Sequence, residues 1–298
     1  MRRAVIVLLS LVAGGGGLLA QTPTTTNSVG MEFVLIQPGS MVVGRFEPPY
    51  PTPPDPNAPP PPPPAANAAA GRGGRAGGGG RGGTPLTPEQ YARVEAMAKA
   101  AVSPGFTVRL TRPYYIGKYE VTQAQWRAVM GTNPSIIQGA KVSDDADRHP
   151  VDNVSWDDAQ AFIRRLNAME KTTVYRLPTE FEWEYAARAG EDADTPWTVI
   201  RERAIAGYNS YFSHQMVGTK QPNAWGLYDV LGNVWEWVQD YYNGKIFADP
   251  TPPTKGTQRV LKGGGFASDV KNAVPATHAF GPGSGFDVGL RIVRDTQP

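Results

Sequence analysis

The spacing of apolar positions predicts one clear helical stripe and several short strands, and leaves one stretch that fits no repeat. Ala159, Phe162, Ile163 and Leu166 recur every three or four residues, the signature of a half-buried helix. Ser155 stands at its N-cap with Asp158 at N3. Thr122 with Gln125 three residues on forms a capping box, opening a helix through Trp126 and Val129 that stops at Gly131. A third helix starts at Thr179, with Glu182 at N3, and ends at Gly190. Strand-like patterning covers Met31–Val43, interrupted by a turn at Pro38-Gly39, and returns at Phe106–Leu110 and Tyr114–Tyr119. Short capped helices among irregular Gly- and Trp-rich segments predict an α+β fold with long loops, without a βαβ repeat.

The stretch outside these patterns is Gly226–Trp237, Gly-Leu-Tyr-Asp-Val-Leu-Gly-Asn-Val-Trp-Glu-Trp. Its glycines predict tight bends and its aromatics predict burial. A carboxylate buried there needs a partner. No Lys or Arg lies between Asp229 and Glu236, so a bound cation is one partner; Ca²⁺ suits carboxylates combined with backbone carbonyls. The other reading has Asp229 capping a turn and Glu236 pairing with a distant Arg. His149, His214 and His278 are not at metal-ligand spacing from one another and read as solvent or turn histidines. No Gly-x-Ser-x-Gly elbow supports a serine hydrolase.

Composition narrows the compartment and the partners. The net charge of the 298 residues is only +2, which gives no global pull toward nucleic acid or an anionic membrane. Met1-Arg2-Arg3 followed by the apolar run Ala4–Ala13 reads as a secretory signal over residues 1–20, cut near Ala20; a retained N-terminal anchor is the alternative. No transmembrane helix is expected in the mature chain. Export to a periplasm or the exterior follows from the signal. The chain has no cysteine, so disulfides, a lipid-bearing cysteine and thiol chemistry are all excluded. Residues 46–104 carry a proline run, Pro59–Pro64, and a Gly/Arg tract, Gly71–Gly83. They are expected to form a disordered Pro/Gly-rich insert, with a short helix possible over Thr87–Ala101. The insert divides one domain made of residues 21–45 and 105–298. Its Arg-Gly-Gly repeats resemble RNA-binding tails, but a spacer role suits an exported chain better.

Several stretches in order, Met31–Ile36, Tyr115–Thr122, Pro150–Trp156, Tyr175–Ala186, Gly226–Trp237 and Arg259–Gly264, closed by Gly289-Leu290-Arg291, resemble the formylglycine-generating enzyme family, the sulfatase-modifying factors. The resemblance spans about 210 residues. It implies the family's variant of the C-type lectin fold, with little regular secondary structure. It implies structural calcium on the side chains of Asp229 and Glu236 and the carbonyls of Gly232 and Val234. A second calcium site would begin at Asn209, but residues 210–222 hold no Asp or Glu to complete it. The family's oxidase uses two copper-binding cysteines shortly after Gly-Gly; here Ser268 and Ala273 stand at those positions, and Gly265 replaces the usual Ser. Cu(I) needs soft sulfur ligands, so copper is not expected. Ser268, Gly265 and Asn233 are left as candidates for a ligand groove. The reading is a non-catalytic exported module that binds a protein, peptide or glycan. Its alternative is an enzyme on protein substrates with a cysteine-free or partner-completed site.

Overall fold

The computed structural model describes residues 22–46, 93, 103–191, 195–246, 251–269, 272–281 and 283–297. The signal expected over residues 1–20 lies outside the described residues, as does the insert with its expected helix, apart from the insert's ends and Arg93. The chain forms two compact units, one within Met1–Gly39, Arg109–Asn243 and Pro252–Pro298, the other within Ser40–Val108 and Gly244–Thr251. In the second unit β3 (Gly39–Phe46) pairs with β4 (Ser103–Leu110) across the insert, and Met41, Val43 and Ile246 are buried.

The first unit holds two sheets. One is antiparallel, in the order β1 (Thr24–Thr26), β2 (Glu32–Ile36), β5 (Tyr114–Gly117), β11 (Val293–Asp295), β6 (Tyr175–Arg176). The other runs β10 (Val288–Leu290), β7 (Trp235–Tyr241), β8 (Arg259–Lys262), β9 (Ala279–Phe280), with β10 parallel to β7. The turn at Pro38-Gly39 does not fold β2 back on β3: β2 pairs with β1 and β5 instead. At Gly39 the chain passes so close to Tyr185 that a Cβ would fall 2.0 Å from its hydroxyl.

The helices follow the capping signals. α1 (Gln123–Met130), α2 (Trp156–Glu170) and α3 (Glu180–Arg188) each begin with a complete capping box, on Thr122/Gln125, Ser155/Asp158 and Thr179/Glu182. Ala159, Phe162, Ile163 and Leu166 are the buried residues of α2, and Phe162 stacks on Trp126 of α1 at 5.0 Å. α3 is capped by Ala189 in the left-handed region, one residue before Gly190, which lies against the Trp225 ring. A fourth helix, α4 (Trp197–Arg203), starts at Pro196 without a side-chain cap. Among the described residues no helix is long and apolar enough to cross a membrane.

Candidate functional site

Four residues of Gly226–Trp237 have positive φ: Gly226, Asp229, Gly232 and Asn233. This is why the stretch shows neither helical nor strand period. Gly232 cannot be replaced without movement, since a Cβ would sit 2.0 Å from the Ile205 carbonyl oxygen. The bends turn Asp229, Asn233 and Glu236 inward, where all three are buried.

Three carboxylates and one guanidinium meet there. Glu236 accepts from Arg291 Nε at 3.1 and 3.0 Å, from Arg291 Nη2 at 2.7 Å, and from the Trp183 indole at 2.6 Å. Arg291 also donates to the carbonyls of Gly117 and Tyr228. Burial opposes the Arg291 charge, but Glu236 overrides it and holds the pKa above the ordinary arginine value. Glu120, absent from the sequence-level set, accepts from Val234 N at 3.0 Å and Asn233 Nδ2 at 2.6 Å. Burial, then the charges of Asp229 and Glu236, push its pKa well up. Asp229 Oδ2 accepts from Gly218 N at 2.7 Å, while its buried Oδ1 has no partner. Burial raises Asp229 to about 6.

The arrangement revises the sequence reading. Glu236 does pair with a distant arginine. Yet three carboxylates facing one guanidinium carry two uncompensated negative charges when ionised, and one oxygen stands orphaned. The charge and the all-oxygen donor set fit Ca²⁺ in kind. Among the described residues no three His, Asp or Glu side chains are placed so that together they could hold a metal ion. Asn209 is spent on its own loop: its Oδ1 accepts from Ala206 N and its Nδ2 donates to the Ala204 carbonyl. Both ends of the Asn209 amide are thus engaged within its own loop. Asn233 is fully buried, its amide joined to Gln215 and Glu120, so it braces the cluster and lines no groove.

Ser268 lies in a tight turn. Its Oγ accepts from Gly265 N at 3.0 Å, its N–H donates to the Gly265 carbonyl at 2.9 Å, and its own carbonyl accepts from Gly207 N at 2.9 Å. A Cβ on Gly265 would come within 2.9 Å of both Asp287 Oδ2 and Trp235 Cδ1, so a serine does not fit without a shift. Ala273 is 0% exposed.

The histidines are not solvent residues. His149 Nδ1 meets His214 Nδ1 at 2.8 Å. The outer nitrogens reach Asp144 Oδ1 at 2.7 Å and Asp152 Oδ2 at 2.9 Å. His214 lies edge-on to Phe266, two residues from Ser268, with ring centroids 5.8 Å apart. Burial lowers the His149 pKa, against the pull of Asp144. Burial, followed by Asp152, raises that of Asp287. His278 bridges Glu180 Oε1 at 2.6 Å and the Asn243 carbonyl at 3.0 Å, stacked on Tyr242. The ring is thus held between a carboxylate and a backbone carbonyl. Glu180 also faces buried Lys262 at 3.6 Å, which pairs with Glu184 at 3.0 Å. No local spacing announces these contacts, because His149 and His214 stand 65 residues apart.

Comparison with known proteins agrees with this architecture. The model of the sulfatase-modifying factor enzyme 1-like domain matches residues 77–296. A protein of Paenibacillus barcinonensis named chaperone protein LppX is 32% identical over 236 residues, 61% of this chain and 80% of that one. The formylglycine-generating enzyme of Thermomonospora curvata is 36% identical over 170 residues, 49% of this chain and 52% of the enzyme, so the chain spans about half of that relative's length. The solved structure of PvdO from Pseudomonas aeruginosa superposes with a TM-score of 0.64 over 92% of this chain and 98% of that one, at 20% identity, a likeness of fold alone.

Proposed function

Since this chain belongs to the sulfatase-modifying factor enzyme 1-like domain family, we propose that it is an exported, calcium-stabilised binding module that has left the family's oxidase chemistry. The observation that carries the reading is the absence of cysteine from the whole chain. Family chemistry rests on two thiolates, and no rearrangement of the backbone supplies them here. Ser268 is tied into its own turn, Ala273 is enclosed, and Asp287 and Trp235 come close enough to Gly265 that the usual serine would require them to shift. A relative named as a chaperone is compatible with a binding role, and a protein or peptide ligand is favoured over a glycan on that ground. The surface around Gly265 and Ser268 is the place for it. In this reading Ca²⁺ is held by Asp229, by Glu236 and by the carbonyls of Gly232 and Val234, and it neutralises the buried acid cluster. Export rests on the signal-like residues 1–20.

The test is direct. Purified protein with copper and a Cys-x-Pro-x-Arg peptide should yield no formylglycine by mass spectrometry. Conversion of that cysteine to the aldehyde would overturn the reading. A second reading, an enzyme with a cysteine-free site, is favoured by one observation: in the Asp144–His149–His214–Asp152 chain the His214 ring lies edge-on to Phe266, two residues from Ser268. In that case His149→Asn and His214→Asn would abolish a turnover that Ser268→Ala also impairs.

A further inference from the structure

One cleft of the first unit holds a cation that is fixed on several sides and has no ion-pair partner among the described residues. Tyr241 and Arg259 are cross-strand partners on β7 and β8. The Arg259 guanidinium lies 3.4 Å from the centroid of the Tyr241 ring and 3.7 Å from that of Trp156. Trp156, the first residue of α2, is held by its indole N–H on the Val238 carbonyl at 3.0 Å. Arg259 Nη1 donates to the Gln239 carbonyl at 2.7 Å. Two ring faces and one carbonyl thus set the plane and the direction of the fork. Among the described residues no Asp or Glu forms an ion pair with Arg259, and Asp157 and Asp240 act on it only at longer range. Burial, the largest influence, pulls its pKa below the ordinary arginine value, and Tyr241, Asp157 and Asp240 offset this only in part.

Around this fork opens a cleft of about 560 Å³, lined besides by Ser155, Asp157, Thr257, Gln258 and the backbone of Gly256 and Gly281. That is within the range of small-ligand sites. A guanidinium whose plane and direction are fixed, and which has no carboxylate ion pair among the described residues, is placed to take a bidentate oxyanion, because its orientation is already set. The rest of the lining narrows the class. Asp157 beside the single cation repels a densely anionic polymer, whereas one carboxylate can be accommodated. The Thr257 hydroxyl and the Gln258 side-chain amide suit the donors and acceptors of peptide groups, while the Ser155 hydroxyl is engaged in its capping box.

We propose that this cleft binds a short acidic peptide segment, one carboxylate of which docks on the Arg259 fork between Trp156 and Tyr241. The site goes beyond the binding role argued for the Ser268 turn and holds whether or not that surface binds anything.

The test is calorimetric titration of the full chain with a library of blocked pentapeptides carrying a central Glu, the flanking positions varied, alongside the same library with Gln. Saturable binding of Glu peptides is expected, with the Gln counterparts weaker by about tenfold or more, the loss of a charge-assisted pair. Arg259→Lys keeps the charge and loses the fork, and should weaken binding by a similar factor. Asp157→Asn removes the repelling charge at the rim and should tighten it, which gives a gain-of-binding readout that damage to the fold cannot mimic. Equal binding of the Glu and Gln libraries, unchanged binding by Arg259→Lys, or no saturable binding by the wild type overturns the proposal. Preference for trigalacturonate over every peptide overturns the peptide assignment.

Discussion

Calcium should make the stability of this protein depend on pH in a particular direction, and the acid cluster sets the size of the effect. Without metal, Asp229 has a folded-state pKa of about 6 against 3.8 for the free side chain, because burial disfavours its charge. A raised folded-state pKa means that the associated stability is fully present below the unfolded value and is lost as pH rises through about 6. A shift of two units corresponds to about 3 kcal/mol, at about 1.4 kcal/mol per unit. For a domain of this size that is on the order of 6–12 °C in melting temperature. Glu120 moves in the same direction, raised by burial and then by Asp229 and Glu236. Bound Ca²⁺ favours the ionised carboxylates and removes this cost, adding about 2.7 kcal/mol at a hundredfold excess over Kd. The assay is thermal melting by circular dichroism with calcium or chelator, at pH values well below and well above 6. The calcium increment should be small in acid and large above neutrality. Asp229→Asn should stabilise the chelated protein at high pH and shrink the calcium increment. Melting curves that coincide with and without calcium at both pH values would refute the metal site, and a chelated wild type that Asp229→Asn does not stabilise at high pH would refute the charge argument.

Further outcomes follow from other contacts. Arg291→Met strands Glu236 and should cost about 3–5 kcal/mol, the usual penalty for breaking a buried pair, read from chemical denaturation. Gly232→Ala drives a Cβ into the Ile205 carbonyl and should destabilise by more than an ordinary surface change, whereas Gly131→Ala, with open space around it, should cost only its strained backbone. The pKa of His149 is depressed by burial, so its contribution to stability is present above the free-histidine pKa and lost as pH falls through the folded value; His149→Asn should flatten that acid limb in a melting series. Replacing residues 47–102 with a short Gly-Ser linker should leave the fold intact by nuclear magnetic resonance, because loop length adds little closure entropy; loss of dispersed signals would show that the insert packs on the core.

What was legible in the sequence was local. Thr122, Ser155 and Thr179 announce their helices because a cap and its N3 partner lie within one turn, and the α2 stripe is an equally local repeat. α4 was missed because Pro196 offers no side-chain cap. The buried ionic groups were illegible for the opposite reason. Glu120 reaches Val234 across 114 residues and Glu236 reaches Arg291 across 55, so no window holds both partners. Asp229 and Glu236 could be singled out as carboxylates in need of a partner, but which arginine would answer was not written nearby. The histidines were misjudged on the same ground: rarity and wide spacing suggested solvent, while the fold closes His149 on His214 and His278 on Glu180.

Arg291 also has a bearing on the order in which the chain can close. It joins Gly117, Tyr228 and Glu236, all made before it, and it lies between β10 and β11, which border β7 and β5. Until these two strands emerge, β5 and β7 each present an unpaired edge, and Glu236 has no guanidinium to face. Such edges invite pairing with other chains. Long-range closures of this kind are slow relative to local helix formation. The nascent protein therefore cannot finish its core segment by segment; it has to wait, open, for its closing strands.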